Sequence, residues 1–233
     1  MNVIITGASK GLGKAIANAF GALGYNLYLC SRSELTLYKT VEELYTAFPA
    51  IKVKAIPADL SSKAGCEIFS QFILSSAPSI DILVNNTGNF VPGSVYNEPE
   101  GQLEEMINTN LYSAYHVTRS LIGKMIEQRS GHIFNICSIA SVAAYANGGS
   151  YSISKYAMLG FGKNLREEMK PFNVKVTNVL PGAAFTDSWA GSNIDPKRIM
   201  EANDIAKMII TATQLSPQAC VEDILLRPQL GDL

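Results

Sequence analysis

Tyr151-Ser152-Ile153-Ser154-Lys155 places a phenol and an ammonium four residues apart. On a helix these two side chains share a face, one turn from each other. A phenol holds its proton until about pH 10, and a fixed ammonium nearby favours the phenolate. Such a pair can give a proton to a carbonyl oxygen or take one from an alcohol. The same spacing also occurs on solvated helix faces, so the rest of the chain has to decide. Three features bear on it: a serine upstream (Ser138), an asparagine within a helical stretch (Asn110), and a glycine-rich segment near residue 10.

That segment is Thr6-Gly7-Ala8-Ser9-Lys10-Gly11-Leu12-Gly13, directly after the β-branched run Val3-Ile4-Ile5. Apolar residues at helical spacing follow it (Ala15, Ile16, Ala19, Phe20, Leu23), and Gly24 ends them. Glycines between a strand and a helix permit a tight turn and let backbone N–H groups approach a pyrophosphate. The spacing is Gly-x3-Gly-x-Gly, not GxGxxG. The reading is nucleotide binding rather than a plain glycine-rich turn.

The second strand, residues 26–30, ends at Ser31-Arg32-Ser33, with Lys10 on the same side. A dinucleotide fold reads the adenosine ribose at that point. Two cations and two hydroxyls suit a 2′-phosphate, which favours NADP over NAD. Glu34 belongs to the first turn of the next helix. Asp59, after the strand Val53 to Pro57, can accept from an adenine amino group or cap the next helix with Ser61 and Ser62. The loop Asn85-Asn86-Thr87-Gly88 follows a strand at 80–84, where a parallel sheet exposes its carboxyl ends.

One long helix is expected over 102–128, with Asn110 in its interior, and a strand over 132–137 ending at Ser138. The Tyr151 helix is expected over 151–170, broken by Pro171. A strand over 174–180 ends in Pro181-Gly182, and the segment 183–203 reads as a short irregular lid holding Phe185 and Trp189. Asp204 is expected to cap a last helix, and 224–226 forms a last strand. Strands alternate with helices throughout. The expected fold is an α/β, three-layer, Rossmann-type doubly wound sheet of seven mostly parallel strands in one domain, 1–233.

Composition narrows the function classes. The chain has 233 residues, 47% hydrophobic and 17% charged, with net charge −1. One large core fits this length, and nothing in the charge points to nucleic acid. Neither a signal peptide nor a membrane-length apolar run is read. Cys30, Cys66, Cys137 and Cys220 lack CxxC spacing, which suits thiols in a reducing cytoplasm. His132 and His116 have no acidic cluster to support a metal, and His132 reads as structural.

Thr6-Gly7-x3-Gly11-x-Gly13, Asn85-Asn86-Thr87-Gly88, Asn110, Ser138, Tyr151-x3-Lys155 and Pro181-Gly182 together resemble the short-chain dehydrogenase/reductase family over nearly the whole chain. The resemblance implies that Tyr151 is the general acid/base and that Lys155 lowers its pKa and binds the nicotinamide ribose. It implies that Ser138 holds the substrate oxygen and that Asn110 anchors a water in a proton relay. The Pro181-Gly182 main chain and Thr186 would orient the nicotinamide carboxamide. Asn86, Thr87 and Gly88 would line the cofactor, as would Gly7, Ser9, Lys10, Gly11, Leu12 and Gly13 in the first loop. Asp59 and Leu60 would meet the adenine, and Ser31 and Arg32 the 2′-phosphate. The family usually has alanine where Thr87 stands, which adds a methyl and a hydroxyl near the cofactor. Ser138, Ala140, Asn147, Phe185 and Trp189 are expected to shape the substrate pocket.

The implied activity is NADP-dependent reduction of a carbonyl, or oxidation of a secondary alcohol, on a small molecule such as a 3-oxoacyl thioester or ketone. The alternatives are an NADP-binding regulator without turnover and a nucleotide-sugar epimerase; the latter needs a larger C-terminal domain. A homodimer or homotetramer through the helices at 102–128 and 151–170 is implied by the resemblance alone.

Overall fold

The computed structural model describes residues 1–186 and 194–232. Seven strands form one sheet in the order β3-β2-β1-β4-β5-β6-β9, and every neighbouring pair is parallel. They are β1 (Asn2–Ile5), β2 (Asn26–Ser31), β3 (Val53–Pro57), β4 (Ile82–Asn85), β5 (Gly131–Ile136), β6 (Val174–Pro181) and β9 (Asp223–Leu226). The connecting helices are α1 (Gly11–Ala22), α2 (Glu34–Ala47), α3 (Lys63–Ser76), α4 (Gln102–Ile107), α5 (Ser113–Gln128), α6 (Gly149–Met169) and α7 (Ala202–Thr213). Two short strands, β7 (Ala184–Phe185) and β8 (Met200–Glu201), pair with each other across the ends of the segment expected to be a lid. Trp189 lies outside the described residues.

The inner strands β1, β2, β4, β5 and β6 are buried on both sides, as parallel strands under two helical layers must be, while the edge strands β3 and β9 are partly exposed. Val3, Ile5, Leu27, Leu29, Val84 and Phe134 pack with Ile16, Phe20 and Ile209 of α1 and α7. Ile4, Tyr28, Leu83, Ile133 and Val176 pack on the opposite face with Phe69, Leu121 and Leu165 of α3, α5 and α6. The order reverses direction between β1 and β4. Ligands bind in the crevice at such a point, outside the carboxyl ends of the strands.

A polar row crosses this apolar sheet. Asn85, Asn135, Asn178 and Asp223 stand opposite one another on β4, β5, β6 and β9. Asn85 Nδ2 donates to Asn135 Oδ1 at 2.9 Å and to Thr118 Oγ1 at 2.9 Å. Asn135 Nδ2 donates to Asn178 Oδ1 at 3.4 Å, and Asn178 Nδ2 to Asp223 Oδ1 at 3.0 Å. Most of these buried amide groups satisfy one another; Asn85 Oδ1 has no partner among the described residues.

Two elements differ from the sequence expectation. The helix expected over 102–128 is divided by a π-helical segment, Asn108–Tyr112, in which the Ser113 N–H reaches back to the Asn108 carbonyl. Asp204 is not a cap: Glu201 holds the N-cap position of α7, and Asp204 lies in its first turn, bonded to Lys207. His132 is structural as expected. It is buried against the Thr177 hydroxyl at 2.7 Å, and burial pulls its pKa down to about 3, which keeps the ring neutral.

Candidate active site and dinucleotide cleft

At the carboxyl ends of β1, β2 and β4 lies an open cleft of about 800 Å³. Gly7, Ser9, Lys10, Gly11, Leu12, Gly13, Ser31, Arg32, Asp59, Leu60, Asn86, Thr87, Gly88 and Thr186 all line it, as the sequence led one to expect. The first turn of α1 faces it with no side-chain cap and no acidic residue. By contrast, Ser33 caps α2 and Ser62 caps α3. The free N–H groups and the helix dipole of α1 therefore remain available to a bound anion. Gly13 is dictated by close approach: a Cβ there would lie 2.3 Å from the Gly7 carbonyl oxygen and 2.5 Å from Asn86 Nδ2. Asn86 Nδ2 in turn donates to the carbonyls of Thr6 and Gly7, so the two loops are bonded together.

Lys10 and Arg32 are exposed on the same cleft as Ser31 and Ser33. Neither takes part in an ion pair among the described residues. Asp59 Oδ1 accepts from the N–H (3.1 Å) and hydroxyl of Ser61, while Ser62 performs the helix capping. Thr87 lines the cleft, and its main-chain N–H is held by Thr6 Oγ1 at 3.0 Å.

The chemical residues converge at the adjoining ends of β4, β5 and α6. Tyr151 is the third residue of α6, and Lys155 follows one turn later. The Lys155 ammonium is 5% exposed and donates to the Ile136 carbonyl at 2.8 Å. That is one hydrogen bond from a group with three donors, so a buried cation retains N–H groups for another acceptor. Burial lowers the pKa of Lys155. It raises that of Tyr151, whose phenol the Ser138 hydroxyl pulls in the opposite direction. The Ser138 hydroxyl thus favours the phenolate, and Lys155 Nζ lies 5.9 Å from the Tyr151 ring centre.

Ser138 lies two residues past β5 and caps a short 3₁₀ turn, where its Oγ accepts from the Ala140 N–H at 3.1 Å. Asn110 is 1% exposed inside the π segment. Its Oδ1 accepts from the Asn89 N–H at 2.7 Å, and its Nδ2 donates to the Asn89 carbonyl and to Ser154 Oγ. Both Nδ2 hydrogens of the side chain are thereby engaged. π segments recur at functional sites for this reason: they displace backbone groups from the helical ladder.

Three expected pocket residues are placed differently. Ala140 is 1% exposed and shapes the Ser138 turn, its carbonyl accepting from the Ser152 hydroxyl. Asn147 is exposed and accepts from the Ser94 hydroxyl. Phe185 lines a smaller pocket at the glycine loop with Lys10, Lys14 and Thr186. Phe90 was not foreseen: it lines the cleft and meets the Tyr151 ring edge-on at 4.8 Å. Glu105 and Thr109 were also missed; they reach the cleft because α4 ends over it.

Comparison with known proteins agrees with this architecture. The family model described as short chain dehydrogenase matches residues 1–197. A sepiapterin reductase from Chlorobaculum tepidum is 32% identical over 239 aligned positions, spanning 99% of this chain and 97% of the relative. An alcohol dehydrogenase from Thermococcus sibiricus complexed with 5-hydroxy-NADP superposes with a TM-score of 0.89 at 27% identity, covering 98% of this chain and 96% of the other. A metagenomic short-chain oxidoreductase in complex with NADP gives 0.84 at 28% identity, covering 98% and 97%.

Proposed function

Since the chain belongs to the short-chain dehydrogenase/reductase family, we propose that it is an NADP(H)-dependent oxidoreductase that reduces the carbonyl of a small organic molecule, or oxidises the matching secondary alcohol. The observation that carries this reading is the meeting of Tyr151, Ser138 and the buried Lys155 ammonium at the end of the open cleft. When bound, NADPH supplies the hydride. Tyr151 donates the proton that the carbonyl oxygen gains, and Ser138 hydrogen-bonds the same oxygen. Lys155 offers its remaining N–H groups to the ribose hydroxyls, and the uncapped α1 N-terminus faces the pyrophosphate. Lys10 and Arg32 hold the 2′-phosphate, and Asp59 accepts from the adenine amino group. Pro181, Gly182 and Thr186 face the nicotinamide carboxamide.

The chain acts as one domain, 1–233, with a short lid at about 183–203. The substrate class includes pterin-type ketones and 3-oxoacyl thioesters; the similarity to a sepiapterin reductase supports the former. No helix among the described residues is long and apolar enough to cross a membrane. A reducing compartment, the cytoplasm, fits the four free thiols. A homodimer or homotetramer is supported by the exposed Tyr112, Ile153 and Tyr156 on the α5–α6 side; light scattering tests it.

The deciding experiment is NADPH consumption against a carbonyl panel of pterins, diketones, acetoacetyl thioesters, aromatic aldehydes and sugars, run in parallel with Tyr151→Phe. Turnover abolished in that variant, with NADPH still bound, is the expected result. A Tyr151→Phe protein as active as the parent overturns the mechanism. Tight NADPH binding with no turnover on any member favours the binding-only alternative.

A further inference from the structure

The loop between β4 and α4 is fastened to α6 at two places. At its start, the Asn89 N–H donates to Asn110 Oδ1 and the Asn89 carbonyl accepts from Asn110 Nδ2, which also donates to Ser154 Oγ at 2.9 Å. Near its end, Glu98 Oε1 accepts from the Ser150 N–H at 2.8 Å, and the Ser150 hydroxyl donates to Glu98 Oε2. Ser150 and Ser154 lie one turn apart on α6, with Tyr151 between them. The stretch they bracket carries Phe90, whose ring stands edge-on over Tyr151.

The second fastening is a built feature. Gly149, with φ +36°, begins α6, and a Cβ there would lie 1.9 Å from Glu98 Oε1 and 2.5 Å from the Gly93 carbonyl oxygen. Only a glycine lets the carboxylate seat against the helix start. Two further bonds run alongside: Gly93 N–H to the Asn147 carbonyl at 3.1 Å, and the Ser94 hydroxyl to Asn147 Oδ1 at 3.0 Å. A carboxylate at a helix N-terminus satisfies an otherwise orphaned N–H and complements the helix dipole. The partners are 52 residues apart in sequence, so the contact has no local function to serve.

We infer that Glu98 is a positioning residue: its bond to Ser150 fixes the 89–98 loop as a rigid wall and holds Phe90 against Tyr151, which sets the angle at which a carbonyl reaches the phenol. This inference rests on the oxidoreductase reading above. Glu98 itself touches neither phenol nor cleft among the described contacts; it acts through Phe90.

The test uses Glu98→Ala, Glu98→Gln, Phe90→Ala and the Glu98→Ala/Phe90→Ala double variant. Each is assayed for carbonyl KM and kcat, for NADPH affinity by fluorescence titration, and for amide hydrogen exchange across residues 89–98. A misplaced reacting group costs up to about a hundredfold, so Glu98→Ala should lower kcat/KM for the carbonyl by about tenfold or more. NADPH affinity should be unchanged, and the loop should exchange faster. Glutamine can keep both contacts, accepting from the N–H and donating to the hydroxyl oxygen, so Glu98→Gln should restore most of the loss. The double variant should be no worse than the poorer single, because both changes release one wall. Equal losses in carbonyl kcat/KM and NADPH affinity, or additive effects in the double variant, overturn the inference. A parent protein that turns over no carbonyl fails the oxidoreductase reading instead; in that case unchanged loop exchange in Glu98→Ala separately overturns the fastening.

Discussion

Removing the guanidinium of Arg32 separates the two nicotinamide dinucleotides by a calculable amount. Arg32 and Lys10 face one cleft at the end of β2, and neither is neutralised by a described ion pair. A hydrogen bond to a charged group contributes about 1.5–3 kcal/mol. Arg32 is exposed, so water and salt screen it and the lower figure applies. At about 1.4 kcal/mol per factor of ten, Arg32→Ala should weaken NADPH binding about tenfold. NADH lacks the 2′-phosphate and should bind the variant and the parent alike. Lys10→Ala should behave similarly, and the two losses should add to about a hundredfold if the side chains grip separate phosphate oxygens. Fluorescence titration of both dinucleotides at low and at physiological salt measures all of this, and the NADPH preference should shrink as salt rises. Equal losses for NADH and NADPH, or no loss for either, would refute the assignment of the 2′-phosphate to this corner.

Other outcomes follow from the same geometry. Burial raises the Tyr151 pKa above its ordinary value, so the protonated phenol that reduction needs persists through neutral pH. Reduction should therefore hold steady to about pH 9, and oxidation should climb with pH; a reductive rate already lost by that pH contradicts this ordering. Gly13→Ala forces a methyl against the Gly7 main chain, and overpacking of about 1–3 kcal/mol should lower Tm by several degrees and abolish NADPH-induced stabilisation; thermal unfolding with and without NADPH reads both. Asn135→Ala leaves Asn85 and Asn178 each short of a buried partner and should cost at least about 2 kcal/mol in urea unfolding, with the m-value unchanged.

The strand–helix alternation, the glycine loop and the Tyr151-x3-Lys155 spacing were legible because each is local: periodicity, turn glycines and short spacings lie within a few residues, whereas roles for Asn110 and Ser138 came only through the family resemblance. What the sequence concealed depends on distant partners. The interruption of the long helix at Asn108–Tyr112 is held by Asn89 and Ser154, which no window around Asn110 contains. Only the mildly unfavourable position of Asn110 hinted at it. Phe90 and Glu98 looked like ordinary loop residues, since their meaning lies in Tyr151 and Ser150 on another element. Ala140 was expected to shape the substrate pocket, yet it is buried in the 3₁₀ turn that follows Ser138. Asp204 had the right residue type for a cap, but α7 begins two residues earlier, at the β8 pairing.

The asparagine row across β4, β5 and β6 bears on how the strands find their alignment. Parallel apolar strands offer little to tell one pairing from another two residues away, because Leu83, Ile133 and Val176 on the same face are nearly interchangeable. A slip of two residues would set Asn135 opposite such side chains and strand its amide in a dry interior, at about 1–3 kcal/mol for each group left unbonded. The row acts as a datum line for the sheet. Asn86 follows it by one residue, the Ile136 carbonyl that holds Lys155 by one, and Ser138 by three. Levelling the strands along this row thus levels the candidate catalytic groups that follow it at the carboxyl ends of β4 and β5.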